Sequence, residues 1–421
     1  PSPARPQEGF GENPVVAAMM GRAAVFGLQG GPRRSDGYLP AGSVCALAKH
    51  MAAYGATNQN GGPADVTNRT LHEIYLRPWQ AVADAGVCAI MASHQTVNDV
   101  PAHANGWLLG TTMRQRFGFN DGVVLSDCDD VGALVDFRFA ANLSHAAALA
   151  LTAGVDWDLQ CGSPSSWSYT HLQTALDQGL LSEATLDLAA GHALTHKFRA
   201  NLFDQPYVPP DRIADLDNPA HRQLALEAAE QGMVLLQNTG NMLPMPLKGL
   251  KVALFGPFAS KQAGTDPISP LVGSYVLSGA NVVTLDDALQ AEGVASLTWM
   301  DGGCSAAGPP PAAGCHSNLS DVEALARASD VSIVLVGDTN HNCGEWGDRN
   351  DLDLAGGQLQ LLQTVASAAS RTILILVHGR PQTFVRRSKK KKEEEEEEKK
   401  KKKKKKRKEE EGKEKKKKGE G

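Results

Sequence analysis

No stretch of this 421-residue chain runs to 18 consecutive apolar residues, which excludes a simple transmembrane helix. No charged-then-apolar leader follows Pro1, so a secretory signal is not expected within this sequence. There is no CxxC pair, and the seven cysteines (Cys45, Cys88, Cys128, Cys161, Cys304, Cys315, Cys343) fall in no zinc spacing. His192 and His196 stand at i, i+4 without the glutamate of an HExxH helix, and Gly27–Pro32 lacks the Lys-Ser/Thr of a phosphate loop. No metal and no cofactor is therefore expected. Basic side chains are scarce over most of the chain. The 34 residues from Ser388 to Gly421 hold 19 Lys/Arg and 11 Glu, a net of +8, which leaves the preceding body at −13. A body that acidic lacks the clustered Lys/Arg that phosphate binding needs, so neither a nucleic-acid partner nor a membrane is expected.

What is present is a large α/β pattern. The body exceeds what one hydrophobic core usually organises, which predicts two domains. Up to Leu159, short apolar runs alternate with amphipathic stretches. Val44–Ala48 leads into Lys49-His50, Val87–Ala92 into Ser93-His94, and Gly122–Leu125 into Ser126-Asp127, with helices predicted at Arg69–Asp84 and Trp107–Phe117 between them. Fully apolar strands between helices imply a parallel sheet covered on both faces. Polar residues at successive strand ends are how a (β/α)8 barrel builds its active face.

A helix over Ala184–Asn201 closes this region, and Phe203–Asn218 reads as a Pro/Asp-rich linker. A second block follows, with strands predicted at Val252–Phe255, Val282–Leu285, Val331–Val336 and Thr372–Val377, and helices at Ser320–Ala328 and Gln358–Ala369. That is a doubly wound pattern. The expected division is thus a TIM-like barrel domain, 1–205, a linker, 206–220, an α/β sandwich domain, 221–387, and a Lys/Glu tail, 388–421, read as a solvated helix or disorder. A full barrel runs to about 250 residues, so the barrel is expected to be incomplete at its N-terminal end and the second domain incomplete too. Cys304 and Cys315 flank one Gly/Pro/Ala loop and are candidates for a local disulfide, with free thiols as the alternative. Sequons at Asn68, Asn142 and Asn318 permit secretion.

Several motifs occur in a recognisable order: Gly11-Glu-Asn-Pro14, Ala48-Lys-His50, Ala89-Ile-Met-Ala-Ser-His94, Asn98-Asp-Val-Pro-Ala102, Asn105-Gly-Trp, Val123-Val-Leu-Ser-Asp127, Ala153-Gly-Val-Asp156, Val234-Leu-Leu-Gln-Asn238 and Glu345-x-x-Asp348-Arg349. Together they resemble glycoside hydrolase family 3, the β-glucosidases, β-xylosidases and exo-glucan hydrolases. The resemblance implies Asp127 as catalytic nucleophile, although Ser126-Asp127 also reads as a helix cap. A retaining glycosidase needs a second carboxyl about 5 Å away, and the resemblance points to Glu345, with Asp338 and Asp348 competing. It implies that Lys49 and His50 bind sugar hydroxyls, joined by His94 at the next strand end and by Arg5, whose Arg-x-x-Glu spacing to Glu8 is similar to the family's. Cys128 stands where many members carry Trp, as in the β-xylosidase-like branch. Trp157, Trp167 and Trp346 are candidate sugar platforms, with core packing the alternative for Trp157.

The expectation is a retaining exo-acting β-glycosidase that takes β-linked oligosaccharides or glycosides with a terminal β-D-glucosyl or β-D-xylosyl residue. The alternative is a catalytically impaired fragment that at most binds sugar. The resemblance also implies a secreted protein.

Overall fold

The computed structural model describes residues 5–56, 62–259, 283–302, 319–339, 342–345, 347, 349 and 351–384. Its first sheet contains three parallel strands, β1 (Leu47–Met51), β2 (Ala89–Ala92) and β3 (Val123–Leu125), bonded in that order. A parallel bridge from Leu125 to Trp157 extends the arc by one position. Helices α1 (Pro14–Gln29), α2 (Arg77–Asp84), α3 (Asp130–Asp136), α4 (Leu143–Ala153) and α5 (Glu183–Arg199) accompany these strands. Helix α1 starts where Asn13 accepts from Val15 N and Val16 N ahead of Pro14, and stops at Gly30 in the left-handed conformation (φ 74°). Met51, Leu71, Leu76, Ile90, Leu108, Leu109 and Met113 are fully buried in one cluster. At about 1.5–3 kcal/mol per buried side chain, this cluster outweighs the cost of setting a few polar groups at its rim.

The second sheet holds β4 (Lys251–Phe255), β5 (Ser296–Met300), β6 (Val331–Gly337) and β7 (Thr372–Val377), all parallel, in the order β5-β4-β6-β7. Strand period 2 sends Ala253, Phe255, Val334 and Val336 to one face against Val322, Leu361 and Val365. Val252, Leu254, Ile333 and Leu335 go to the other face, against Phe258 and Leu289. Both faces are covered, and β6 is buried along its whole length. The winding reverses between β4 and β6, and ligands in such sheets bind beyond the strand C-termini at that switch point. The segment carrying Glu345 starts there.

Four local expectations change. First, Lys49 and His50 lie within β1 rather than after it. The N–H groups of Val44 and Ala46 go to Leu28 O and Gln29 Oε1, so the ladder begins three residues later than the apolar run. Second, the helix predicted over Arg69–Asp84 is broken into a short turn, a π-helical segment (Leu71–Tyr75) and α2. Pro78, with no N–H to give, falls in the first turn of α2. Third, the strand predicted at Val282–Leu285 is not formed. Val282 lies outside the described residues, and Thr284 caps the helix Leu285–Ala291 through a reciprocal pairing with Asp287. Fourth, β5 supplies the strand that the apolar pattern did not mark. The predicted Cys304–Cys315 pair, the sequon Asn318 and the Lys/Glu tail lie outside the described residues. No helix among the described residues is long and apolar enough to cross a membrane.

Candidate active site

The carboxyl ends of β1, β2 and β3 place His50, His94 and Asp127 side by side. Asp127 Oδ1 accepts from Cys128 N at 2.7 Å. Asp127 Oδ2 lies 3.2 Å from His50 Nε2 and 3.0 Å from His94 Nε2. Those rings approach at ion-pair distance but off the hydrogen-bonding direction, so Oδ2 is buried without a directed donor. His103 Nε2 accepts from Asp127 N at 3.2 Å and fixes the main chain from below. Asp129 occupies the N-cap position of α3 without a capping side-chain bond, and the Asp127 side chain faces the histidines.

Electrostatics divides the two imidazoles. Burial alone raises the Asp127 pKa, but His50 and His94 outweigh it and hold the carboxyl well below the usual carboxylate range. Burial opposes charge on His94 as well. There the two carboxylates win, since Asp127 and Asp130 push its pKa up to about 10. The Asp130 contact is close, with Oδ2 2.7 Å from His94 Nδ1. His50 goes the other way. Burial keeps it below its ordinary value despite Asp127, and the Lys49 and Arg5 cations add to that depression. At neutral pH the site therefore holds an ionised Asp127 between a cationic His94 and a neutral His50.

Glu345 reaches the same cluster from the second domain. Its Oε1 lies 4.0 Å from His94 Nε2, the nitrogen that is 3.0 Å from Asp127 Oδ2. The separation of the two carboxylate oxygens cannot exceed the sum of those lengths. That range contains the about 5–5.5 Å spacing of retaining glycosidases and excludes most of the about 6.5–9.5 Å range of inverting ones. Arg5, almost fully buried, donates to Glu345 Oε1 at 3.1 Å, to Glu8 Oε1 at 2.6 Å and to Tyr54 Oη at 3.4 Å. Glu8 also pairs with Lys49 Nζ at 3.0 Å. Burial raises the Glu8 pKa, but Arg5 and Lys49 together bring it below its ordinary value.

All six residues singled out in the sequence thus meet in one network: Arg5, Lys49, His50, His94, Asp127 and Glu345. Arg5 stands behind Glu345 and beside Tyr54. Three participants were not singled out. Tyr54 stacks on His50 with ring centroids 4.8 Å apart. Asp130 holds His94, and its only sequence signal is its place three residues after Asp127, which also reads as a helix start. His103 carries no local signal, because its partner is a main-chain N–H on another strand.

Other expectations resolve differently. Asp338 pairs with Arg349 at 3.3 Å and Arg380 at 3.7 Å, away from His94. Asp348 and Trp346 lie outside the described residues. Trp157 packs edge-on against His196, centroids 5.5 Å apart, which is the packing alternative. His192 binds Asp156 at 2.8 Å. The cysteine after Asp127 is in a disulfide, Cys128–Cys161, that ties the β3 end to the loop beyond Asp158. A cavity of about 490 Å³ reaches Arg5, Lys49, His50 and Tyr54 from between α1 and α2. Asp127, His94 and Glu345 do not line it, so it adjoins the carboxylate pair without enclosing it.

The fold agrees with the comparisons. The glycosyl hydrolase family 3 N terminal domain matches residues 1–195, and the family's C-terminal domain matches residues 233–393. The chain belongs to glycosyl hydrolase family 3. A β-xylosidase of Formosa agariphila is 35% identical over 388 residues, covering 90% of this chain and 52% of its own length. Beta-D-xylosidase 1 of Arabidopsis thaliana is 33% identical, covering 90% and 47%. A solved β-glucosidase involved in saponin metabolism from intestinal bacteria superposes with a TM-score of 0.79 at 27% identity, over 90% of this chain and 54% of that one. The chain spans about half the length of the curated relatives it matches.

Proposed function

We propose that this chain carries the catalytic centre of a retaining, exo-acting β-glycosidase that releases terminal β-D-glucosyl or β-D-xylosyl residues. The observation that carries the reading is the placement of Asp127 and Glu345, one from each domain, about the same nitrogen, Nε2 of His94. In the first displacement Asp127 Oδ2, which lacks a directed donor, attacks the anomeric carbon. The glycosidic C–O bond breaks, and the Glu345 carboxyl protonates the departing oxygen. In the second, Glu345 takes a proton from water, the water oxygen attacks the same carbon, and the Asp127 ester bond breaks to free both carboxylate and sugar.

The surrounding groups fit this chemistry. Cationic His94 keeps Asp127 ionised. Neutral His50 has one donor and one acceptor nitrogen for sugar hydroxyls, and Lys49 adds ammonium donors. Arg5 acts through Glu345, whose carboxyl it orients. The names of the relatives, β-xylosidase and β-glucosidase, support the sugar class, and Cys128 in place of Trp leaves more room beside the anomeric centre. The Cys128–Cys161 disulfide supports an oxidising, extracytoplasmic location.

Active-site trapping tests the reading. The purified chain is incubated with 2-deoxy-2-fluoro-β-glucosyl or β-xylosyl fluoride, digested and analysed by mass. A glycosyl adduct on the peptide holding Asp127 is expected. An adduct on another carboxylate overturns the assignment. No adduct with either sugar, on a chain shown to be folded, favours a fragment that at most binds sugar.

A further inference from the structure

At the opposite, N-terminal ends of the barrel strands, three side chains of thiophilic character converge. Cys45 precedes β1, Cys88 precedes β2, and His196 is in the last turns of α5. Their donor atoms, two Sγ and one imidazole nitrogen, all lie within 4.8 Å of one another. Cys45 Sγ is 3.8 Å from His196 Nδ1, and the two thiols contact each other. We propose that Cys45, Cys88 and His196 form a Cys2His binding site for a thiophilic divalent cation, Zn²⁺, that locks α5 to the starts of β1 and β2.

Geometry carries the assignment. A tetrahedral zinc with Zn–S of about 2.3 Å and Zn–N of about 2.0–2.1 Å sets its sulfur and nitrogen ligands about 3.6 Å apart. The Cys45–His196 separation is close to that without any main-chain shift. The two cysteines are also held in place independently. Gln29, buried at the end of α1, accepts with one oxygen from Ala46 N at 3.2 Å and from Cys88 N at 3.0 Å, and its amide donates to Gly86 O at 3.0 Å. One side chain thus fixes the main chain beside both thiols, as the supporting shell of a metal site does.

Arg33 and Arg199 share Asp121 close by. A cavity of about 20 Å³ lined by Gln29, Arg33, Gly86, Cys88 and Arg199 adjoins Cys88 without reaching Cys45 or His196. The N-terminal face of such a barrel serves stability rather than chemistry, so the site's role is structural. Linear spacing does not show it, because the three ligands come from distant parts of the chain.

The full chain, reduced and freed of metal with a chelator, is titrated with Co²⁺ as a spectroscopic probe and then with Zn²⁺. One equivalent of Co²⁺ is expected to give thiolate-to-metal charge-transfer absorption, and one equivalent of Zn²⁺ to displace it and raise the Tm. Cys45→Ser is expected to abolish the absorption. His196→Gln, a change on a half-buried helix face that leaves the fold intact, lowers affinity at least about 100-fold. Cys343→Ser, which removes the third free thiol among the described residues, leaves the absorption unchanged. No stoichiometric binding, or absorption that survives Cys45→Ser, overturns the proposal. So does a Cys45–Cys88 disulfide with no bound zinc in the chain as purified, since that makes the pair a covalent staple instead.

Discussion

His94 Nε2 stands 3.0 Å from Asp127 Oδ2, closer than His50 Nε2 at 3.2 Å, while its Nδ1 is 2.7 Å from Asp130. The imidazole is thereby sandwiched between a carboxylate at the end of β3 and one at the start of α3, and its proton becomes part of the nucleophile's environment.

The pH consequences follow from the signs of the two shifts. His94 is raised to about 10 in the folded chain, so its stabilisation is complete below its unfolded pKa of about 6.5 and is lost as pH rises through about 10. Asp127 is depressed, so its stabilisation is present above about 3.9 and is lost as pH falls below that range. Stability measured by denaturant titration across pH should therefore hold level only between about 5 and 6.5 with respect to this pair, and fall steadily from there to about 10. His94→Gln should remove the alkaline loss and lower kcat/KM about 10–100-fold. An alkaline limb unchanged in the variant would show that another group controls it.

Glu345→Gln should lower kcat by about 10²–10⁴-fold on substrates with poor leaving groups. With a dinitrophenolate leaving group, protonation is not required, so the first step should be nearly unaffected and azide should restore turnover by replacing base-activated water. Pre-steady-state kinetics with dinitrophenyl glycosides checks both. A uniform loss across leaving groups would assign the acid elsewhere.

Arg5→Lys should be far from conservative. The guanidinium bridges Glu8, Tyr54 and Glu345 at once, and an ammonium cannot reproduce that fork. Displacing Glu345 by about 1 Å should cost about 10²-fold in kcat with a smaller change in KM. A KM effect alone would instead place Arg5 on the sugar.

Removing the Cys128–Cys161 disulfide by paired serine substitution should destabilise the chain. The bridge closes a separation of 33 residues, for which the chain-entropy relation gives about 3–4 kcal/mol. Cys128 N donates to Asp127 Oδ1, so kcat should also fall, although the catalytic groups remain. Thermal unfolding with and without a reducing agent, with activity measured in parallel, checks the two effects.

The sequence by itself determined the fold class and the strand ends that carry His94 and Asp127, because period and polarity are local properties. Ala89–Ala92 and Val123–Leu125 are short apolar strands followed by polar residues, and that alone predicts a parallel sheet with an active rim. β6 is equally legible, since a strand buried on both faces is a continuous apolar run, and the half-buried β7 beside it is one too. Local signals also misled where they competed. Val44–Ala48 reads as the strand, but two of its N–H groups are claimed by the end of α1. Thr284 lay inside the run Val282–Leu285 that reads as a strand, and its capping partner Asp287 follows two residues beyond that run.

Tertiary structure alone decided the partnerships across long separations. Arg5 meets Glu345, Cys128 meets Cys161, and Cys45 and Cys88 meet His196, because strand order and the docking of the second sheet bring distant loops together. The protonation states were decided there too. His50 and His94 are chemically identical side chains at adjacent strand ends. Burial beside Lys49 and Arg5 makes one neutral, and a second carboxylate, Asp130, makes the other a cation.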